Sequence, residues 1–214
     1  LPSSSWWSSN PSNARPVRHH ASTITDPKLM YRQVHEAIQG GAVLVQFRHK
    51  GADAARHKRL AESVLTACQQ NRTPAIMNDS IQQARALGFD GVHLGQTDGS
   101  IQAARQQLGP DAIIGRTCHD SYELMQEAVF AGASYCAFGR LFQSETKPDA
   151  SGLSLDALAH LVSACKVPVV AIGGIRLDNA PEVLAQGVDM LAVSGAVFQK
   201  DDVGQAASHF RSLF

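Results

Sequence analysis

The stretch VLVQFRHK at residues 43–50 decides the fold, because an apolar, strand-like run ends there in a cluster of polar side chains. Two later stretches repeat this pattern, AIMND at 75–79 and GVHLGQTD at 91–98. Each apolar run is short and largely aliphatic or β-branched, as expected of a strand in a buried parallel sheet. Together the three stretches place two carboxylates and two cations where strands stop. A packed core does not require such a set, and it can hold a divalent metal beside a phosphorylated substrate.

Short apolar runs alternate with longer amphipathic ones along most of the chain. Apolar residues at helical spacing predict helices at 56–70 and 156–164, and Asp178 is predicted to cap a helix that ends at Gly187. Eight strand–helix units predict an α/β fold, a single compact (β/α)8 TIM barrel over 22–214 with its active groups at the carboxyl ends of the strands. The alternative is an open doubly wound sheet, but its usual early GxGxxG turn is missing. The predicted strands are Ser22–Thr25, Val43–Phe47, Ala75–Met77, Gly91–Leu94, Ile113–Thr117, Tyr135–Phe138, Val167–Ile172 and Met190–Val193.

The bulk composition of the 214 residues excludes several classes of function. Hydrophobic residues make up 44% and charged residues 18%, and the formal net charge of zero offers no general attraction to nucleic acid or a membrane surface. No apolar run reaches the roughly 18 residues that a transmembrane helix needs. Four isolated cysteines indicate buried free thiols and a reducing compartment, most simply the cytoplasm. Residues 1–21, rich in Ser, Pro and Asn, lack the apolar segment of a signal peptide and are predicted to be a flexible tail or linker.

Two aspartates are the candidate metal ligands. Asp79 and Asp98 end neighbouring strands, which lie about 5 Å apart in a sheet. Mg²⁺ prefers oxygen ligands and commonly binds one or two carboxylates, with waters and substrate phosphate completing the shell. Nearby, Gln46, Arg48 and Lys50 share one strand parity, so their side chains are expected to point together at the barrel mouth. The planar fork of an arginine and the point charge of a lysine both suit phosphate oxygens.

A second anion subsite is predicted in two glycine-containing loops. AIGGI at 171–175 follows the seventh predicted strand, and AVSGA at 192–196 follows the eighth. Loops in these two places of a barrel often bind phosphate through backbone N–H groups, and glycine permits the close approach. The segment SETK at 144–147 adds hydroxyls and a cation that suit an anionic group. The residues alone thus predict one metal-assisted anion subsite and one metal-free subsite.

These motifs, in this order, resemble those of the thiamine-phosphate synthase family, over roughly residues 22–200. The family has a (β/α)8 barrel and joins hydroxymethylpyrimidine diphosphate to a thiazole phosphate with Mg²⁺, which gives thiamine phosphate and pyrophosphate. The matching motifs are Ile24-Thr25-Asp26, QFRHK at 46–50, Asn78-Asp79, GVHLGQTD at 91–98, IGRTCH at 114–119, FGRLFQSETKP at 138–148, AIGGI at 171–175 and AVSGAVF at 192–198.

The resemblance implies a role for each matched residue and a dissociative alkyl transfer that needs no enzymic nucleophile. Asp79 and Asp98 are expected to hold one Mg²⁺ per subunit. The residues expected to be catalytic are Arg48, Lys50, Lys147 and Thr117, and the three cations among them are expected to stabilise the leaving diphosphate. The residues expected around the pyrimidine diphosphate are Gln46, Phe47, Arg48, His49, Lys50, Asn78, Thr117 and Lys147. The residues expected around the thiazole phosphate are Ser144, Glu145, Thr146, Gly174, Val193 and Ser194.

At two positions the sequence departs from the family pattern, and the role of the residue there is open. Ser80 stands where a second acidic or amide residue is common, and Arg116 stands where a small residue is usual. Arg116 either adds a cation to the diphosphate site or lies on its rim. Two alternatives are a thiazole tautomerase of the same barrel family and a non-catalytic barrel that binds a phosphate ligand. The retained cations and aspartate pair favour the synthase. Its expected partners are two small-molecule substrates, with no nucleic acid and no membrane, and a homo-oligomer is compatible with the sequence.

Overall fold

Eight parallel strands close into one barrel, in which each strand is hydrogen-bonded to its neighbours in chain order and the first pairs with the last. The computed structural model describes residues 15–19 (as backbone only), 24–49, 53–142 and 152–214. The strands are β1 Arg15–His19, β2 Leu44–Phe47, β3 Ala75–Asn78, β4 Gly91–Leu94, β5 Ile113–His119, β6 Tyr135–Phe138, β7 Val169–Ile172 and β8 Met190–Val193. The helices are α1 Pro27–Gln39, α2 Ala54–Gln70, α3 Ile81–Leu87, α4 Ile101–Leu108, α5 Tyr122–Phe130, α6 Leu155–Ala164, α7 Ala180–Leu184, α8 Gly195–Phe198 and α9 Val203–Arg211. The predicted TIM barrel is therefore confirmed.

The first strand lies earlier in the chain than predicted. β1 is Arg15–His19, which pairs with both β2 and β8, whereas Ile24 and Thr25 have no strand structure. The other half of the predicted strand, Ser22 and Thr23, lies outside the described residues. A polar stretch with a proline does not have the pattern of a buried strand, and its position is set by the gap between β2 and β8 that it fills. Part of the predicted tail thus belongs to the barrel, while residues 1–14 lie outside the described chain.

Alternate strand residues face opposite sides and build two separate apolar layers. The interior layer fills the barrel, and the outer layer packs the strands against the helices. Leu44 belongs to the interior, whereas Val45 and Phe47 belong to the outer layer, so the predicted parity of this strand is confirmed. The interior cluster consists of Leu44, Ile76, Ile113, Tyr135, Ala137, Val170, Met190 and Ala192.

Most helices begin at a side chain that accepts a hydrogen bond from the first turn, a contact that stabilises a helix by about 1 kcal/mol. The Ser80 hydroxyl has this role at α3, where it accepts from the Gln83 N–H at 3.2 Å. The predicted cap at α7 is wrong by one residue, because Asn179 occupies the cap position and Asp178 instead pairs with Arg176. The capping residues of α1 to α6 and of α9 are Asp26, Asp53, Ser80, Ser100, Ser121, Ser154 and Asp202.

The four cysteines are free, and all but Cys165 are buried, as the sequence predicts. Burial raises the pKa of the Cys68 thiol to about 12, so that this group stays protonated and behaves as a small apolar side chain. Within the described parts of the chain, every helix is too short or too polar to cross a membrane.

Candidate functional site

The carboxyl ends of β2 to β5 bring the predicted metal and diphosphate residues to one rim of the barrel. Arg48 directly follows β2, Asp79 follows β3, Asp98 lies in the loop after β4, and Thr117 lies near the end of β5. Neighbouring strand ends are about 5 Å apart, so these groups follow one another around the mouth. The strand registers that align them are Phe47 opposite Met77, Asn78 opposite His93, and Leu94 opposite Arg116.

The loop that carries Asp98 is held by a dense set of hydrogen bonds. One carboxylate oxygen of Asp98 accepts from the Gly95 N–H at 2.8 Å. The Arg116 guanidinium donates to the Gly95 carbonyl at 2.8 Å, to the Gly99 carbonyl at 3.0 Å and to the Gln96 side chain at 3.2 Å. Arg116 therefore clamps this loop from β5 and is not a cation directed at the diphosphate site. The sequence showed only that this arginine replaces a smaller residue.

Asp79 has an unusual backbone conformation at the end of β3. Its φ of 69° lies in the left-handed region, which few residues other than glycine adopt and in which aspartate is one of the commoner exceptions. Its N–H donates to the His93 carbonyl of β4 at 2.8 Å, which anchors the peptide to the neighbouring strand. This conformation is maintained by the contacts around it, as is frequent at functional sites.

Asp79 and Asp98 are oxygen donors of the kind that Mg²⁺ prefers. Both side chains are partly exposed and offer only oxygen ligands, Asp79 directly after β3 and Asp98 in the loop after the neighbouring β4. The described residues contain no cluster of three or more His, Cys, Asp or Glu side chains suited to a metal. A pair of carboxylates completed by water and substrate phosphate is a common Mg²⁺ environment, whereas a dedicated zinc site would need more protein ligands.

Gln46 is a buried polar group at the floor of the mouth. It is fully buried inside the barrel, beside the Tyr135 hydroxyl, yet neither of its amide atoms reaches hydrogen-bond geometry with any described residue. A buried polar group without a partner is destabilising by about 1–3 kcal/mol, and a ligand that hydrogen-bonds to this amide would remove that cost. Two positions further, Arg48 is half-buried and forms no ion pair with the side chains that are described. Its charge is therefore available to an anion.

Three of the predicted contact residues direct their side chains away from the mouth. The buried Phe47 ring packs on the helix side, with its centroid 5.0 Å from that of His57. The His49 Nε2 lies 3.0 Å from the Ile24 carbonyl oxygen, and Val193 is buried in the outer layer. Strand parity is the reason, because each of these residues alternates with an inward-facing neighbour. That these three residues contact the substrates stays a prediction, and such contacts would use their backbone.

The loop after β7 is closed by an asparagine that the sequence did not single out. The Asn179 amide donates to the Gly174 carbonyl at 3.1 Å, and its oxygen accepts from the Arg176 N–H at 2.7 Å. Gly174 has a φ of 65°, and a Cβ there would lie 2.8 Å from the Phe142 Cβ, so glycine is required. After β8, the half-buried Ser194 makes no capping hydrogen bond. These two loops lie side by side, because β7 pairs with β8.

Five predicted site residues lie outside the described residues. They are Lys50, Ser144, Glu145, Thr146 and Lys147. The described residues that flank the last four are placed at the end of β7. The Phe142 N–H donates to the Gly173 carbonyl at 3.1 Å, and the Leu153 N–H donates to the Arg140 carbonyl at 2.8 Å.

A buried polar chain inside the barrel extends the site below its rim. The two ring nitrogens of His93 lie 2.7 Å from the Tyr135 hydroxyl and 2.7 Å from the Thr117 hydroxyl. The His93 and Tyr135 rings stack with centroids 5.5 Å apart. Gly115 lies between them in register, and a Cβ on it would overlap the Tyr135 ring and hydroxyl. Sequence reasoning treated His93 as a packing residue and missed Tyr135 and Gly115, although all lie at inward-facing strand positions.

Comparison with known proteins gives a consistent result. A protein-family model described as thiamine monophosphate synthase matches residues 21–197. A solved thiamine phosphate pyrophosphorylase from Pyrococcus furiosus is 34% identical, with a TM-score of 0.80 over 95% of this chain and 97% of that chain. A thiamine phosphate pyrophosphorylase from Bacteroides thetaiotaomicron is 16% identical, with a TM-score of 0.69 over 93% of this chain and 96% of that chain. A 3-hexulose-6-phosphate synthase is 13% identical, with a TM-score of 0.68 over 93% and 99%. At these two lower identities the likeness shows the fold alone.

Proposed function

Since the chain belongs to the thiamine monophosphate synthase family and is a transferase that forms thiamine phosphate, we propose that its two anion subsites hold two different phosphorylated substrates. The subsite at the ends of β2 to β5 binds the pyrimidine diphosphate. The subsite in the loops after β7 and β8 binds the thiazole phosphate. The two lie at the same end of one barrel, so the reacting carbon of one substrate can face the nitrogen of the other.

The observation that carries this assignment is the Gln46 amide, which has no hydrogen-bond partner among the described residues. An aminopyrimidine edge presents a ring nitrogen that accepts and an amino group that donates, which complements the donor and acceptor of an amide side chain. Gln46 is fully buried at an inward-facing position of β2, so a ring that reaches it has entered the barrel mouth. The diphosphate of that substrate then lies at the rim, level with Arg48.

The groups around the diphosphate act by charge and by hydrogen bonding. Arg48 opposes the negative charge of the diphosphate, and the Asn78 amide and Thr117 hydroxyl provide neutral contacts. We assign Lys50 and Lys147 to the same anion from the family resemblance. Asp79 and Asp98 would hold Mg²⁺, which when bound supplies positive charge to the phosphate oxygens.

The loops after β7 and β8 suit the phosphate of the thiazole. Glycine at 173 and 174 leaves the backbone bare, and Ser194 has a hydroxyl that makes no capping bond. Backbone N–H groups in such loops bind phosphate without a metal. We assign Ser144, Glu145 and Thr146 to this substrate by resemblance, and we limit the part of Val193 to its backbone.

The proposed reaction is a dissociative alkyl transfer. The bond from the pyrimidine methylene carbon to the diphosphate oxygen breaks first, and its electron pair leaves with pyrophosphate. The amino-substituted pyrimidine ring stabilises the cation that results. The thiazole nitrogen then donates its lone pair to this carbon and forms the new C–N bond. Because no proton is removed, the residues contribute by positioning the substrates and stabilising charge, without acting as a strong base.

Incubation of the protein with both substrates, with and without Mg²⁺, tests the assignment. We expect thiamine phosphate and pyrophosphate in equal amounts when all components are present, and little of either when Mg²⁺ is removed by a chelator. Each substrate alone serves as a control. Pyrophosphate release without thiamine phosphate would indicate hydrolysis, and no product under any condition would contradict the synthase assignment.

Ser194→Asp is expected to impair use of the thiazole phosphate by about 10- to 100-fold in KM, with the KM for the pyrimidine diphosphate nearly unchanged. A carboxylate about 5 Å from a phosphate at an effective dielectric constant near 20 is repelled by roughly 3 kcal/mol. Ser194→Asn is the matched control, since asparagine has the size of aspartate without its charge. Equal KM values for the thiazole substrate in the two variants would exclude Ser194 from the phosphate site.

A further inference from the structure

The hydrogen-bonded chain from Tyr135 through His93 to Thr117 joins a fully buried phenol to a hydroxyl at the mouth. Tyr135 is 1% exposed and His93 is 6% exposed, whereas Thr117 is partly exposed. The three side chains come from β6, β4 and β5. Because Gly115 has no side chain, the Tyr135 ring has the space to contact His93. This series of hydrogen bonds therefore has one end that is buried from water, at Tyr135, and one end that a substrate can reach, at Thr117.

The direction of the hydrogen bonds follows from the chemistry of the three groups. A neutral imidazole has one nitrogen that donates and one that accepts, and each ring nitrogen of His93 has one hydroxyl within 2.7 Å. Burial raises the pKa of Tyr135, so the phenol keeps its proton. Among the described side chains, the His93 Nδ1 lies 2.7 Å from the phenol oxygen, whereas the Gln46 amide does not reach hydrogen-bond geometry, so the phenol proton is directed at Nδ1.

This direction determines what Thr117 can offer to a ligand. If Nδ1 accepts from Tyr135, Nε2 carries the proton and donates to the Thr117 oxygen at 2.7 Å. The proton of the Thr117 hydroxyl is then free to be donated into the mouth. In the opposite tautomer, Thr117 would donate its proton to His93 and could only accept a hydrogen bond from a ligand.

Resting on the proposed function, we propose that Tyr135 and His93 are positioning residues that hold Thr117 as a hydrogen-bond donor to the diphosphate of the pyrimidine substrate. A donor aimed at the leaving oxygen gains strength as that oxygen takes up the electron pair of the breaking C–O bond. A Thr117 that only accepts would repel the same oxygen. Tyr135 thus acts on the reaction from inside the barrel without touching the substrate.

The tautomer of His93 is the direct test, because it does not depend on turnover. We expect ¹⁵N spectra of the histidine-labelled protein to show His93 protonated on Nε2 only. The signal can be identified among the nine histidines by its loss in His93→Asn. Protonation on Nδ1, or on both nitrogens, would overturn the inference.

A kinetic cycle tests the consequence for the reaction. Tyr135→Phe is expected to lower kcat by about 10-fold with little change in KM, and Thr117→Val by about 100-fold. In the Thr117→Val background, Tyr135→Phe should have no further effect, since it acts through Thr117. Tyr31→Phe is the matched control, because it removes a phenol that donates to Gln70 at 2.6 Å on the helix surface, and it should leave kcat unchanged.

The outcomes separate this inference from the proposed function. A slow Thr117→Val variant together with a fully active Tyr135→Phe variant would overturn the role of Tyr135 and leave the proposed site intact. Additive losses in the double variant would also overturn it, because they would show that Tyr135 acts by another route. A fully active Thr117→Val variant would remove Thr117 from the site and overturn both.

Discussion

Replacing Asp98 with Asn is expected to lower turnover by about 100-fold or more and to raise the Mg²⁺ concentration for half-maximal rate by at least about 10-fold. The substitution removes one of the two carboxylates that follow the neighbouring strands β3 and β4. Asparagine keeps an oxygen that can accept the Gly95 N–H, now at 2.8 Å from Asp98, so the loop should retain its shape. The loss can therefore be attributed to charge rather than to unfolding.

The control for this variant is Asp111→Asn, which neutralises an exposed carboxylate just before β5, at the opposite end of the barrel. It should change neither kcat nor the Mg²⁺ requirement. The measurement is the initial rate of thiamine phosphate formation over a range of Mg²⁺ concentrations. If Asp98→Asn responds to Mg²⁺ as the unaltered protein does, the assignment of this residue to the metal fails.

Replacing Gly115 with Ala is expected to destabilise the protein by about 1–3 kcal/mol and to lower turnover by about 10-fold or more. The added Cβ would overlap the Tyr135 ring and hydroxyl, and Tyr135 is fully buried, so its ring must shift inside the barrel. A shifted ring loses both its stacking on His93 and its hydrogen bond to the His93 Nδ1. Stability and activity should therefore fall together.

Gly204→Ala provides the comparison, because this glycine lies in α9 and a Cβ there would meet only ordinary contacts of 3.5 Å or more. Alanine is favoured over glycine in a helix by roughly 1 kcal/mol, so this variant should be as stable as the original or slightly more stable. Denaturant unfolding and the initial rate should both be measured. A Gly115→Ala variant with unaltered stability would show that the interior has room that the structure does not indicate.

Much of the barrel follows from the sequence, because its buried parallel strands are short apolar runs that end in polar or glycine clusters. Gly91–Leu94, Tyr135–Phe138 and Met190–Val193 are observed with their predicted bounds. The first strand could not be found in this way. RPVRH at 15–19 is mostly polar, and only its pairing with β2 and β8 identifies it. Local sequence patterns indicate which residues are buried, whereas closure of the barrel depends on all eight strands together.

The candidate site likewise has features that local sequence patterns predict and features that they do not. Positions at strand ends are predictable, so Arg48, Asp79 and Asp98 are found at the rim as expected. Matching a motif does not give side-chain direction: Phe47 and His49 lie within the matched QFRHK run, but parity turns both side chains away from the mouth. Gly115 was missed for a different reason, since the need for glycine arises from an aromatic ring on the next strand.

The Arg116 clamp has a consequence for the thermodynamics of binding. A loop of small and polar residues such as 95–99 normally loses backbone entropy when it closes on a ligand, by about 1 kcal/mol or more for each residue fixed. Here the guanidinium fixes the carbonyls at both ends of that loop before any ligand arrives. The ordering is completed during folding, so binding of Mg²⁺ at Asp98, as proposed, would not include this entropy cost.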